Sequence, residues 1–273
     1  MGRLREQGVL VYPVHSRRSR GLSVGINLFP GRKQCSFDCP YCEVFPFSTD
    51  AVFSLERLEA DLRGTLALAL ERDEPVMDIC FSGNGEPSLS PVFPDALKLA
   101  VRIRDGMVPS SKLVIITNGT GLLEPETFAF LRDAAAGPPA LDIWLKLDAG
   151  TPDWFLAINS PVPKAGAGFD GMIAKIREFA ACAPVTIQTM LCAVDGREPP
   201  ALEAGAWERL VVELAAANGN IRKVQIYGKA RPSPDDPKAE QLPFEYLERR
   251  AASLRLAFGT RAAFPVPLVE IYP

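Results

Sequence analysis

Six times along 273 residues, a short apolar run rich in β-branched side chains is followed by a longer stretch with helical spacing. This alternation restricts the chain to parallel strands joined by crossover helices. The strand candidates are residues 24–29, 76–82, 112–117, 141–148, 185–191 and 223–227, and the helical stretches include 54–71, 94–104, 125–134, 170–181, 202–217 and 244–257. Connections carrying Gly, Pro or Asn follow several strands, at 83–87, 118–119 and 228–234. Six units are too few for a closed eight-stranded barrel, so a partial barrel or an open sheet is expected, with ligands at the carboxyl ends of the strands. With 47% hydrophobic and 23% charged residues and no linker or repeat, residues 1–273 read as one domain, and 264–273 offer a C-terminal edge strand.

Side-chain alternation favours the partial barrel. Buried parallel strands should be almost wholly apolar. Here one face of several strands carries Asp78 with Ser82, Lys146 with Asp148, Gln188, and Gln225 with Tyr227. Such residues are expected to line a polar cavity, unless individual ones lie at frayed strand ends in water.

Three of the six cysteines fall within eight residues, in Cys35-Ser-Phe-Asp-Cys39-Pro-Tyr-Cys42, on the loop between the first expected strand and the first long helix. In a long chain, such thiols read as ligands rather than as a disulfide framework. A tetrahedral zinc site usually needs four protein ligands, and the one histidine, His15, has no zinc-finger spacing to these cysteines. Three thiolates on a 4Fe-4S cube leave one iron with an open position.

The CxxxCxxC spacing, with Tyr41 just before the last cysteine, resembles the cluster motif of the radical S-adenosylmethionine superfamily. The resemblance implies that Cys35, Cys39 and Cys42 hold a 4Fe-4S cluster whose remaining iron chelates S-adenosylmethionine. It implies reductive cleavage of that cofactor to a 5′-deoxyadenosyl radical, hence an oxidoreductase or transferase supplied by an electron donor such as flavodoxin or ferredoxin. The stretch from 11 to 232, including Ile158-Asn-Ser-Pro161, looks like the wyosine-synthase-related radical proteins, but it lacks their additional cysteine series and no lysine carries over as a pyruvate-binding residue.

In Phe81-Ser-Gly-Asn-Gly-Glu-Pro-Ser-Leu89, glycines permit close backbone approach and a carboxylate can face an ammonium group. Gly83, Gly85, Glu86 and Pro87 resemble the family's GGEP motif, which holds the methionine amino group, with Asn84 within the glycine run. Asn118, before Gly119, is either a tight-turn residue or a ligand contact. Lys146 and Asp148 share a strand face, where they either pair with each other or contact cofactor or substrate, Asp148 meeting ribose hydroxyls. Gln188 offers an amide, and Ile226 and Tyr227 offer apolar surface and backbone groups to an adenine. Cys80, Cys182 and Cys192 read as reduced core thiols.

Residues 1–34 carry seven Arg or Lys against Glu6, a net +6 in a chain of net −3. The basic N-terminal segment, 1–23, includes Arg17, Arg18 and Arg20, which suit RNA phosphates, whereas the acidic remainder suits a peptide or metabolite substrate. A solvated arm is the plainer reading of the same charge, and a structural or electron-transfer metal protein is the non-enzymatic one. No segment approaches the roughly 20 apolar residues that a membrane helix needs, and the first residues lack a signal-peptide core, so a cytoplasmic protein without a membrane partner is expected.

Overall fold

The computed structural model describes residues 8–163, 166, 168–218, 220–259 and 265–273. Arg3, Arg5 and Glu6 of the basic segment, and Phe264 of the expected edge strand, lie outside the described residues. The chain forms two compact units: Met1–Cys35, Val44–Thr117 and Asp133–Ile143 in the first, and Ser36–Glu43, Asn118–Arg132 and Trp144–Pro273 in the second.

In the first unit, β1 (Val11–Ser16) makes an antiparallel hairpin with β2 (Gly21–Ile26), and β2, β3 (Val76–Phe81) and β4 (Lys112–Thr117) run parallel. Helix α1 (Leu55–Glu71) starts where Ser54 accepts a hydrogen bond from the Arg57 amide, and it buries Leu58, Leu62, Leu66 and Ala69 at helical spacing. Helix α2 (Phe93–Met107) likewise buries Ala96, Leu97, Ala100 and Ile103. Helix α3 (Pro125–Ala136) and β5 (Leu141–Lys146) have residues in both units.

The strand expected at 24–29 is β2, at Gly21–Ile26. Asn27 ends it: its Nδ2 donates to the Val9 carbonyl at 2.8 Å, and its Oδ1 accepts from the Phe29 amide at 3.1 Å. The Asn27 amide still donates to the Leu10 carbonyl at 2.8 Å, and beyond that rung the side-chain bonds take over from the ladder. Asp78 lies level with Ser23 and with Lys112, the first residue of β4, and accepts a 2.5 Å bond from Ser23. Of the polar strand residues, Asp78 therefore stands away from the carboxyl end, whereas Ser82, just past β3, hydrogen-bonds Tyr12 at 2.7 Å.

In the second unit, β6 (Val185–Val194), β7 (Ile221–Gly228) and β9 (Leu268–Tyr272) are parallel, and β8 (Ala239–Gln241) pairs antiparallel with the end of β6. The expected edge strand is β9, and the carboxyl half of β5 precedes β6 in the strand order. All ten residues of β6 are buried, as a strand covered on both faces requires. Helices α4 (Pro152–Asn159), α5 (Phe169–Cys182), α6 (Ala201–Asn218) and α7 (Phe244–Gly259) complete the unit. Helix α4 has only eight residues, started by a Thr151 cap and Pro152 and anchored by Trp154, Phe155 and Ile158.

Candidate cofactor site

The first unit holds the start of the cysteine loop. Gln34 pairs in a parallel bridge with Gly85: the Gln34 amide donates to the Asn84 carbonyl, and the Glu86 amide donates to the Gln34 carbonyl, each at 2.9 Å. A Cβ on Gly85 would overlap that Gln34 carbonyl, so the glycine is fixed by close backbone approach. Cys35 follows directly in sequence. Gly83 turns at φ +118° against Asn27. Glu86 is buried, and its Oε1 accepts from the Ser88 amide (3.1 Å), the Ser88 hydroxyl (2.6 Å) and the Thr117 hydroxyl (2.6 Å). Pro87 opens a short 3-10 turn for which Glu86 is the cap. His15 pairs with Glu74 at 3.3 Å on the hairpin and is largely exposed.

The second unit holds the rest of the loop. The Ser36 hydroxyl meets Thr120 Oγ1 at 2.6 Å and accepts from Asn118 Nδ2 at 2.9 Å, while Asn118 Oδ1 accepts from the Thr120 amide. Asn118 is therefore both the turn residue and a brace for the loop. The Val162 amide donates to the Ser36 carbonyl, and the Asp38 amide to the Ser160 carbonyl, each at 2.9 Å. The Phe37 ring sits edge-on to Phe155, with centroids 5.5 Å apart. A bond from the Cys42 amide to the Cys39 carbonyl, 2.9 Å, closes a turn over Pro40 and Tyr41.

Asp148 is the hub of this half. Its Oδ2 accepts from the Tyr41 hydroxyl at 2.5 Å and from Asn159 Nδ2 at 3.0 Å, and its Oδ1 accepts from the Met190 amide at 2.8 Å. Lys146 Nζ lies 3.4 Å from Oδ2, donates to the Tyr227 hydroxyl at 2.6 Å and stands 4.5 Å above the Tyr41 ring. Burial disfavours the Lys146 charge, but Asp148 and then Tyr227 outweigh it and hold the pKa above the ordinary lysine value. Burial first, and the Asp148 charge second, likewise push the Tyr41 phenol well above its usual value. Of the two expected arrangements of Lys146 and Asp148, the pairing with each other is the one present, and both carboxylate oxygens accept protein donors. A cavity of about 20 Å³ bordered by Asn118, Lys146, Asp148 and Asn159 has room for roughly one water.

Gln188 and Gln225 face one another in register, fully buried, with Gln188 Nε2 donating to Gln225 Oε1 at 2.7 Å. Tyr227 shares the Gln225 face; Ile226 is fully buried on the opposite one, and its backbone is in register between Thr189 and Ile271. Tyr41, Asn159, Thr117 and Ser36 are the residues that sequence reasoning missed. Tyr41 and Asn159 stood within the recognised motifs, but no local pattern shows what their side chains bind.

No disulfide joins the six cysteines; Cys35, Cys39 and Cys42 are half-exposed, Cys80 and Cys192 are buried as expected, and Cys182, expected in the core, is instead exposed as the last residue of α5. Burial pushes the Cys80 and Cys192 thiols up to about 12. Among the described residues, no group of three or more His, Cys, Asp or Glu side chains forms a ready metal cage. The donor set on offer is three accessible soft sulfurs on one short loop, which fits an iron–sulfur cluster and not a hard cation.

No family model matches the chain. Over 127 residues it is 32% identical to a "UPF0026 protein" of Helicobacter pylori strain 26695 and to its counterpart in strain J99; the match covers 44% of this chain and 38% of each relative. Among solved structures, a radical SAM methyltransferase from Sphaerobacter thermophilus aligns over 96% of this chain and 69% of its own, with TM-score 0.63 and 17% identity. Streptococcus suis SuiB bound to S-adenosylmethionine aligns over 91% of this chain and 50% of its own, with TM-score 0.62 and 15% identity. TYW1 with a lysine-pyruvate adduct aligns over 86% and 73%, with TM-score 0.55 and 13% identity. The chain thus has the α/β partial-barrel fold of radical S-adenosylmethionine enzymes, as the strand–helix alternation and the cysteine motif together led us to expect.

Proposed function

We propose that this chain is a radical S-adenosylmethionine enzyme in which Cys35, Cys39 and Cys42 hold a 4Fe-4S cluster, supplied with electrons by a flavodoxin or ferredoxin in the cytoplasm. The observation that carries the reading is the backbone bridge between Gln34, the residue before Cys35, and Gly85 of the glycine-rich turn. It fixes one ligand-bearing segment against a carboxylate that is itself fixed. When bound, the cluster and S-adenosylmethionine would supply one-electron cleavage of the cofactor and a carbon radical able to take a substrate hydrogen atom. Three donors on Oε1 orient the Glu86 carboxylate to accept the methionine ammonium. Asp148 positions Tyr41 and Asn159 through Oδ2, and with only the Met190 amide on Oδ1 its carboxylate keeps acceptor capacity for the ribose hydroxyls. No described helix is long and apolar enough to cross a membrane.

For the substrate, the RNA reading rests on Arg17, Arg18 and Arg20. These lie in the turn before β2, at its amino end, whereas Gly83–Pro87 follow the carboxyl end of the parallel neighbour β3. About six residues of strand, roughly 20 Å, separate the two ends. RNA held by that turn would be anchored away from the glycine-rich turn. This placement favours the second reading, a peptide side chain or small polar metabolite met by Tyr227 and Lys146. Anaerobic reconstitution, followed by measurement of 5′-deoxyadenosine, tests the enzyme reading. Stoichiometric zinc with no iron–sulfur cluster would reject it. Replacing Arg17, Arg18 and Arg20 together separates the substrates: RNA binding with a log-affinity versus log-salt slope that flattens by about one unit per lost contact supports RNA. Identical binding by the triple variant leaves peptides and metabolites as the class to screen.

A further inference from the structure

We propose that Asn159 is a positioning residue that keeps an N–H···S hydrogen bond on Cys39 and thereby sets the reduction potential of the cluster, an inference that rests on the cluster reading above. Asn159 is the last residue of α4, is 3% exposed, and meets Cys39 twice. Its backbone carbonyl accepts from the Cys39 thiol at 3.5 Å, and its Nδ2 lies 3.9 Å from the same sulfur. The two contacts fare differently when Cys39 becomes a ligand. A ligating cysteine has lost the thiol proton, so the bond to the carbonyl disappears. The amide donor remains.

The orientation of that amide follows from chemistry. Nδ2 also donates to Asp148 Oδ2 at 3.0 Å, and an ionised carboxylate only accepts, so the NH2 end must face Asp148 and Cys39 while the oxygen points elsewhere. Nδ2 has two hydrogens, one for each partner. Asp148 is in turn held by Tyr41, the Met190 amide and Lys146, which leaves the carboxamide little freedom to turn away. Helix α4 ends just beyond, where Ser160 adopts φ +43° and its carbonyl accepts the Asp38 amide. The segment bearing the donor is thus tied by backbone to the segment bearing the acceptor. Hydrogen bonds to cluster sulfurs favour the more negative, reduced state and raise the potential.

The test uses the full chain, anaerobically reconstituted, with iron content measured and the midpoint potential read by an electron paramagnetic resonance titration. Asn159→Ala should load iron as wild type does and be harder to reduce by about tenfold in the one-electron equilibrium, a fall of roughly 59 mV. Cys182→Ala, which alters an exposed thiol, should leave the potential unchanged. A loaded Asn159→Ala protein with the wild-type potential overturns the proposal, and so does a folded variant that takes up no iron, since the residue would then serve assembly alone. Should the Ala variant fail to fold, Asn159→Ser is read by the same criteria. If wild-type protein itself holds no cluster, the proposed function fails, and that result is distinct from an unchanged potential.

Discussion

The Tyr41 hydroxyl donates to the Asp148 carboxylate across 107 residues of sequence and 2.5 Å of space. The bond joins the turn between Cys39 and Cys42 to the residue two beyond the end of β5, and it makes the cysteine motif's aromatic residue an anchor as well as a hydrophobic surface. Asp148 still keeps Asn159, Met190 and Lys146 when the phenol is removed. Tyr41→Phe should therefore cost only about 1–2 kcal/mol of stability, whereas Asp148→Ala, which strands the buried Lys146 charge, should cost about 3–5 kcal/mol. Denaturant unfolding of the metal-free protein, with an unchanged m-value, checks both and their order.

The loop thiols should be distinguishable from the others before any metal is added. Cys80 and Cys192, with thiols pushed up to about 12 by burial, present almost no thiolate at neutral pH. Brief iodoacetamide treatment of the native, metal-free chain should label Cys35, Cys39, Cys42 and Cys182 and spare Cys80 and Cys192. After anaerobic loading, the three loop cysteines should become protected while Cys182 stays reactive. Peptide mass mapping reads the pattern, and continued labelling of Cys39 in cluster-loaded protein would contradict its role as ligand.

Replacing Cys35, Cys39 or Cys42 singly by Ala should abolish loading of an intact cluster, because each thiolate would hold a different iron. Gly85→Ala should reach a similar end by another route: the new methyl group meets the Gln34 carbonyl and must push the segment before Cys35 away from its bridge. The distinction lies in the apoprotein. The cysteine variants should melt as wild type does, whereas Gly85→Ala should melt lower. Iron and sulfide analysis beside differential scanning calorimetry separates the cases.

Much of the architecture was legible because it is periodic. Runs such as Val-Thr-Ile-Gln-Thr-Met-Leu and helices such as α1, with Leu58, Leu62 and Leu66 on one face, announce themselves locally. What escaped was set by contacts between distant residues or by short elements. Strand β1 carries Pro13 and His15 and is itself an edge strand, paired antiparallel with β2, so its pattern is faint. The end of β2 is decided by Asn27 bonding to Val9 and Phe29. The site divides in the same way: the cysteines and the Gly83–Pro87 turn are contiguous motifs, while Asn159, Met190 and Tyr41 converge on Asp148 only in three dimensions. Asp148 itself was picked out by strand-face alternation, but the protein partners on both its oxygens belong to the fold alone.

Glu86→Gln keeps the shape of a side chain whose Oε1 accepts three hydrogen bonds, so cluster loading should survive. What it removes is the negative charge proposed to meet the methionine ammonium. Loss of a charged hydrogen bond is worth about 1.5–3 kcal/mol, which corresponds to roughly a ten- to hundredfold weaker affinity for S-adenosylmethionine. Equilibrium binding to the reconstituted, unreduced protein measures it without turnover. Affinity equal to that of wild type would remove Glu86 from the pocket.

The segment following β7 is held by an ion pair whose carboxylate titrates in acid. Lys229, nearly buried, pairs with Asp236 at 2.6 Å, and Asp236 also accepts from the Ser233 amide and hydroxyl at 2.8 Å. Lys229 first, and then the Ser233 bonds, lower the Asp236 pKa to about 2. In the unfolded chain the same carboxyl titrates near its ordinary value of about 3.9, so the folded state binds its proton less readily. Stability from this group is consequently complete above pH of about 4 and is lost as pH falls through about 2. Asp236→Asn removes the titration while keeping a side chain of similar size. The variant should melt below wild type at pH 6, and the gap between the two curves should narrow from pH 4 downward, closing only below about pH 2. A gap that stayed constant from pH 6 to pH 2 would show that the carboxylate's charge does not hold this segment.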